Sequence, residues 1–471
     1  MKADIWSNAG EPRRGPTVSA RVLVISLLVL WITAIPLKAS PANPALQQDE
    51  ERPIPADRPQ AGASLRLDDL RRELLRSNPD LRAAQKRYEA LLARPAQESA
   101  LPDPRITMGW ISTGWPYPGS GLGTEPVSNV GIQVAQEIPF PGKRVLKGSI
   151  AQKQAETEAQ MIRAQELNLI AQLEDKFYDL RFAYESLDIV REKQTLLGLL
   201  AQAAQARYSV GKGMQQDIIR ASTEISILED RAIVLEKKRL SLTAGINALI
   251  NRPPDAELGR PEPASSMPPL ESFESLQARA LETAPLLAAQ RKVIDGRQLN
   301  VQSARKAYYP DFDVMSGYYN MGSLKPMWEF KVQVNIPLYF WQKQRYGMEE
   351  AGASLAEAQL GYRAQMQLVG ARMRELYLAA QAARKLMELY SRQILPQSEL
   401  ALESSLAGYE SGGVDFLSVL SNFTMILDYQ LNYREQQAEY LKAHSGIAEL
   451  AGIPTAGSSP ARPLPDREER R

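Results

Sequence analysis

"WEFKVQVNIPLYFW", Trp328 to Trp341, decides how the rest of the chain is read. Trp328, Phe330, Val332, Val334, Ile336 and Leu338 are apolar, and Glu329, Lys331, Gln333 and Asn335 between them are polar. Strict period-two alternation describes a strand with one oily and one wet face. Three further stretches share the pattern. Ile106, Met108 and Trp110 alternate with Arg105, Thr107 and Gly109; Val130, Ile132 and Val134 with Gly131, Gln133 and Ala135; Phe312, Val314 and Tyr318 with Asp311, Asp313 and Tyr319. The expected strands cover about 102–114, 128–140, 309–320 and 327–340. Each is close to the length of a tilted, membrane-spanning strand.

Around these strands the chain is helical. From Val145 to about Ala206 an apolar pattern runs for about 60 residues, or about 90 Å of helix. Ile170, Leu173, Phe177, Leu180, Tyr184 and Leu187 keep 3-4 spacing, the pattern drifts at Arg191, and it resumes at Leu197 and Leu200. A helix this long without caps is a coiled-coil element.

The chain is also duplicated. "LPDPRI" (Leu101 to Ile106) resembles "YPDFDV" (Tyr309 to Val314), and "EIPFPGKR" (Glu137 to Arg144) resembles "NIPLYFWQKQR" (Asn335 to Arg345). "NPDLRAAQ", "RYSVGKG" and "GINALIN" in the first half likewise match "APLLAAQ", "GYESGG" and "GIAELAG" in the second, in the same order. A repeat this long is a duplicated architectural unit. The expected organisation is a signal peptide (1–39), a flexible leader (40–62), a first repeat (63–250), a Pro-rich linker (251–272), a second repeat (273–452) and a disordered tail (453–471). The signal rests on Arg13, Arg14 and Arg21 before the apolar run Val22 to Pro36, with Ala39 as cleavage point.

Composition excludes several functions. With 56 basic and 55 acidic residues the net charge is +1, which gives no footprint for a nucleic-acid partner. The 471 residues contain no Cys, which rules out disulfides, thiolate metal sites, a Cys nucleophile and a lipidated Cys. A metal site or triad based on His would rest on His444 alone. "GSGLGTEP" (Gly119 to Pro126) lacks the Lys-Ser/Thr end of a phosphate loop and reads as an extracellular hairpin loop. Asp311 and Asp313 share a strand face with no sign of a pocket. No catalytic constellation, cofactor motif or metal site emerges, so an enzyme is not expected.

Four strands cannot close a membrane barrel, which needs at least about eight. An open sheet in lipid would leave backbone groups unsatisfied. If the oily face meets lipid, several chains must pool their strands; two give the minimum and three give a twelve-stranded barrel with a lumen. The alternative is an oily face covered by helices of the same chain. Trp328, Tyr339, Phe340 and Trp341 favour lipid, because such rings settle at membrane interfaces.

The duplicated helix–strand–strand–helix order, "QEIPFPGKR" after a strand, and the paired turns "RYSVGKGMQQDIIRA" and "GYESGGVDFLSVLSN" resemble the TolC-like outer membrane factors, over about residues 65–452. These are the exit ducts of tripartite efflux pumps. The resemblance implies a mainly α fold with a transmembrane β part. It implies a homotrimer whose strands form one twelve-stranded outer-membrane barrel, continued by an α-helical barrel across the periplasm of a Gram-negative bacterium. Trp328, Phe330, Val332, Val334 and Ile336 would then face outer-membrane lipid, with Lys331 and Gln333 toward the lumen. The implied partners are a periplasmic adaptor (membrane fusion) protein and an inner-membrane transporter of the proton-driven RND type, which chooses the substrate. "EIPFPGKR" and "DFLSVL" resemble the heavy-metal efflux branch, although the thirteen Met residues show no clustered ligand spacing.

The resemblance also assigns sites. The turns at Val210, Gly211, Lys212 and Gly213 and at Ser411, Gly412 and Gly413 match the tips that dock the adaptor. Locally, Gly211, Gly213, Gly412 and Gly413 are expected to supply left-handed conformations between helices. Many relatives carry aspartates after the second tip that constrict the closed pore. Here Ser418 and Ser421 stand at those positions, with Asp415 and Asp217 as the nearby acids. Threefold symmetry would make a carboxylate ring of either acid; alternatively, each is a solvated charge favoured by a helix N-terminus. A multidrug duct, a type I protein-secretion duct and a periplasmic coiled-coil scaffold without a pore are the competing functions.

Overall fold

The computed structural model describes residues 64–114, 117, 119–263 and 266–453. The expected signal peptide and leader, all of the tail but Ile453, part of the first hairpin loop and two residues of the linker lie outside these residues. The order is α1 (Leu67–Ser77), α2 (Pro79–Ser99), β1 (Arg105–Ile111), β2 (Asn129–Ile138), α3 (Lys143–Ser209), α4 (Gln215–Leu249), α5 (Phe273–Thr283), α6 (Pro285–Lys306), β3 (Asp311–Asn320), β4 (Met327–Asn335), α7 (Lys343–Leu389), α8 (Leu395–Ser411) and α9 (Phe416–Leu450). The chain is mainly helical, and among the described residues no helix is long and apolar enough to cross a membrane.

The strands are shorter than their alternation suggested, and proline explains most of the difference. β1 begins after Pro102 and Pro104, which offer no N–H to a ladder, and ends before Gly114 at φ +93°. β2 stops at Ile138, before Pro139, and β4 at Asn335, two residues before Pro337. Ile336, expected within the last strand, therefore lies just outside it. There the Leu338 amide turns back to the Ile336 carbonyl at 2.9 Å, and Tyr339 accepts from Gln342 and Lys343. The alternation of Ile336 and Leu338 belongs to a turn.

The four strands form an antiparallel meander in the order β1-β2-β3-β4. Their registers stack like side chains in rows, such as Met108–Ile132–Tyr318–Trp328 and Ile106–Val134–Ser316–Phe330. The reverse face carries rows such as Thr107–Gln133–Gly317–Glu329. Among the described residues the outer edges of β1 and β4 have no partner strand.

α3 is 67 residues long, about 100 Å. Its second-repeat counterpart runs through α7, a π turn at Tyr390–Ile394, and α8, with right-handed helical backbone angles at both joints. The interruption has two visible causes. Pro396 cannot donate an amide to the helix ladder. The repeat offset also grows by one residue across this helix, from Lys143 on Lys343 to Gly211 on Gly412. A one-residue insertion in a helix is absorbed as a π bulge.

Ile170, Leu173, Phe177, Leu180 and Leu187 are buried, as their spacing predicts. Leu173 and Leu180 pack with Leu70 and Leu74 of α1 and Ile246 of α4. Val190 and Leu197 join Leu228 of α4 and Phe416, Val419 and Phe423 of α9 toward the other end. A third cluster joins Leu276, Leu287, Met373 and Tyr440 from α5, α6, α7 and α9. Fully burying such side chains contributes about 1.5–3 kcal/mol each. Across this packing runs one buried ion pair, Arg71 to Glu174 at 2.6 Å.

Candidate functional site

One face of the sheet is apolar and uncovered. Ile106, Met108, Trp110, Val130, Ile132, Val134, Trp328, Phe330, Val332 and Val334 are all exposed, Trp328 at 74% and Val332 at 54%. Among the described residues no helix covers this face, against the alternative in which the chain's own helices bury it. Contiguous apolar surface of this kind marks a contact with lipid or another protein.

The reverse face is polar and internally paired. Asp313 is buried, taking Arg105 at 3.0 Å and the Asn335 amide at 2.8 Å. The Tyr319 hydroxyl donates to Glu329 at 2.8 Å, and Lys331 pairs with Glu329. Gly131 gives Tyr319 its place, since a Cβ there would run into the ring. Asp311 sits where the sheet meets the helices. It accepts from the Phe140 amide at 2.7 Å and from Lys143 Nζ at 2.8 Å, while Phe140 stacks on Tyr309 at 4.6 Å. Asp311 and Asp313 thus hold the sheet together and attach it to α3.

The helix tips lie at the far ends of α3 and α8. At the first, Gly211 is left-handed at φ +75°, and the Lys212 amide closes on the Arg207 carbonyl at 2.8 Å. At the second, Gly412 is left-handed at φ +85°, and the Gly413 amide closes on Gly408 at 2.9 Å. Gly213 and Gly413 are not left-handed, contrary to expectation. Gly213 is needed for closeness instead, because a Cβ would lie 3.0 Å from the Tyr208 nitrogen. At Gly413 a Cβ would meet only ordinary contacts, the Gly408 carbonyl oxygen and the Ser411 hydroxyl, each at 3.9 Å. Val210, Lys212 and Ser411 are exposed.

Two residues that the sequence analysis missed join the tips. Arg207 donates to the carbonyls of Tyr409 at 2.7 Å and Glu410 at 3.1 Å, and its guanidinium lies 4.6 Å over the Tyr409 ring. Tyr409 in turn meets Phe416 edge-on. An arginine one turn before a glycine turn was the available signal; its partner was not legible.

The expected constriction residues separate by environment. Asp415 is the N-cap of α9, accepting from the Ser418 amide at 3.2 Å and from the Ser418 hydroxyl. Those bonds hold its carboxyl below the usual carboxylate range. Ser418 is thereby engaged, and Ser421 is exposed. Asp217 is half-buried in the first turn of α4, close enough to Tyr409 to act with burial in pushing up its phenol. Among the described residues no three His, Cys, Asp or Glu side chains gather as a metal site would.

The family model for outer membrane efflux protein matches residues 70–252 and 276–453, one segment in each half of the chain. Two curated relatives are similar over most of their length. The cobalt-zinc-cadmium resistance protein CzcC of Cupriavidus metallidurans is 24% identical, over 67% of this chain and 75% of its own. The probable outer membrane lipoprotein SilC of Salmonella typhimurium is 22% identical, over 74% of this chain and 77% of its own. The solved structure of the outer-membrane channel OprN superposes with a TM-score of 0.71 at 18% identity, covering 82% of this chain and 90% of that one.

Proposed function

The chain belongs to the outer membrane efflux protein family and is an outer-membrane protein, and on that premise we propose that three copies form the exit duct of a tripartite efflux pump. One observation carries this reading: a four-stranded sheet that, among the described residues, has an uncovered apolar face and two unpaired edges. Such a sheet is unstable alone in lipid, where every backbone donor and acceptor must be paired. Three copies close twelve strands. Trp328, Phe330, Val332 and Val334 then face lipid, and Glu329, Lys331 and Gln333 line the lumen. The long helices continue the duct into the periplasm, and the tips around Val210–Gly213 and Ser411–Gly413 receive an adaptor protein.

The duct is passive, and an inner-membrane transporter of the proton-driven RND type supplies the energy and chooses the cargo. Heavy-metal cations are the proposed cargo, supported by the similarity to CzcC, a resistance protein for cobalt, zinc and cadmium. At the tips, Asp217 is the proposed constriction residue, since Asp415 is already used as a helix cap. Three symmetry-related Asp217 carboxylates would attract cations and retard anions.

A growth-inhibition panel on a deletion strain tests the cargo, with copper, silver, zinc, cobalt, nickel and cadmium beside antibiotics and dyes. Sensitivity confined to certain metals is expected. Sensitivity to drugs and dyes alone would replace the metal reading with a multidrug duct. Conductance of the purified protein in a planar bilayer tests the pore itself, and its absence under opening conditions would favour a scaffold.

A further inference from the structure

The repeat and the strand registers together specify how a second copy adds to the open sheet. β1 maps onto β3 with Asp103 on Asp311 and Ile106 on Val314, and β2 maps onto β4 with Val134 on Val332 and Ile138 on Ile336. Under this mapping the first hairpin's pair Ile106–Val134 becomes Val314–Val332, and Met108–Ile132 becomes Ser316–Phe330. Both are observed pairs of the second hairpin. The two hairpins therefore have one register. The remaining contact, β2 with β3, has no counterpart among the described residues, where β4 and β1 are the free edges. Carried through the same mapping, Val134–Ser316 becomes Val332 opposite Met108, and Glu137–Asp313 becomes Asn335 opposite Arg105.

The residues at the sheet–helix junction repeat the argument in side-chain chemistry. Within the chain, Asp311 takes Lys143 at 2.8 Å beside the Phe140–Tyr309 stack. Their equivalents are Asp103 for Asp311, Lys343 for Lys143, Leu101 for Tyr309 and Leu338 for Phe140. Lys143 and Lys343 each open a helix. Asp103 and Lys343 are exposed and unpaired among the described residues, and Leu101 and Leu338 are exposed at 47% and 65%. An acid, a base and two matching apolar side chains thus wait at opposite edges of one sheet.

We propose that β4 of one copy pairs antiparallel with β1 of the next, with Val332 opposite Met108 and Asn335 opposite Arg105. An ion pair between Asp103 and Lys343 and a Leu101–Leu338 contact lock this junction. This rests on the trimeric-duct reading and adds its register. A one-residue slip would set the oily face of one copy against the wet face of the next, but a two-residue slip would not, so only the repeat selects among the allowed registers. The geometry also closes. The row from Arg105 passes through Ala135, Met315 and Lys331 and arrives opposite Gly109 of the next copy. A climb of about 13 Å over four strand spacings, about 19 Å, gives a tilt of about 35°, within the range of closed barrels.

The full chain has no Cys, so introduced pairs report without background. Thr107→Cys with Gln333→Cys places two thiols directly opposite across the proposed seam, facing the lumen. β1 and β4 of one chain are three strand spacings apart, about 14 Å, too far for an internal disulfide. Oxidation with copper phenanthroline in outer-membrane fractions should convert this variant to covalent multimers that reductant dissolves. Gly109→Cys or Arg105→Cys with Gln333→Cys, each slipped by two residues, should cross-link much less. Stronger cross-linking in a slipped pair overturns the register and leaves the trimer standing. Monomer in all three, with no heat-labile trimer on gels, overturns both. For the ion pair, Asp103→Lys should lower the melting point of the trimer, and adding Lys343→Asp should restore it. A doubly exchanged variant no better than the single one removes the pair from the proposal.

Discussion

Replacing Val332 by Arg should prevent most of the protein from assembling in the outer membrane, whereas Gln333→Arg should be tolerated. β4 runs from Met327 to Asn335, so Lys331 is its centre and Val332 lies one residue away, near the bilayer midplane of the proposed barrel. An arginine on the lipid face at that depth costs about 2–4 kcal/mol. Three copies per barrel raise this to about 6–12 kcal/mol, comparable with the whole stability of many folds. Gln333 is on the other face, directly opposite Asp313 across the β3–β4 ladder. An arginine there is exposed on the polar face beside a carboxylate that Arg105 and Asn335 already hold, so its effect should stay within about 1 kcal/mol. The assay is the yield of heat-labile trimer in purified outer membranes, on gels of unheated and boiled samples, at matched synthesis. Equal yields for the two variants would refute the assignment of faces, and a loss confined to Gln333→Arg would invert it.

Three further outcomes follow from the helical part. Glu174→Gln removes the buried carboxylate that Arg71 holds at 2.6 Å, and should cost about 3 kcal/mol, seen as a lower melting temperature. Burial lowers the pKa of His444, so the folded state resists its protonation. Its contribution to stability is present above the unfolded value of about 6.5 and is lost as pH falls below that toward the folded value. His444→Gln should therefore flatten the fall in melting temperature on acidification from neutral pH, and an unchanged slope would remove His444 as a cause. Gly211→Ala forces a side chain into a left-handed turn and should cost about 1 kcal/mol, whereas Gly413→Ala should be silent in the same melting assay.

Residues that act through their own neighbours were legible in the sequence. Val332 and Gln333 declare opposite faces because a strand alternates at every residue, whatever it packs against. Leu173, Phe177 and Leu180 declare a buried stripe because the helical period is equally local. Residues that act through distant partners were not. Asp311 and Asp313 had no visible purpose until the meander brought Lys143 and Arg105 within reach, from about 170 and 208 positions away in the chain. Arg207 and Tyr409 are 202 positions apart and meet only because two long helices end at one level.

The sequence by itself determined the periodicities, the duplication and the absence of cysteine, because each is a property of neighbouring residues or of counting. It overextended the last strand, since alternation continues through Ile336 and Leu338 although Pro337 cannot donate to a ladder. Only the tertiary structure decided the registers, the uncovered state of the apolar face and the pairing of the two tips. These depend on which backbone groups find partners across hundreds of residues. That choice is made by the closing of ladders and the packing of long helices, and no local pattern records it.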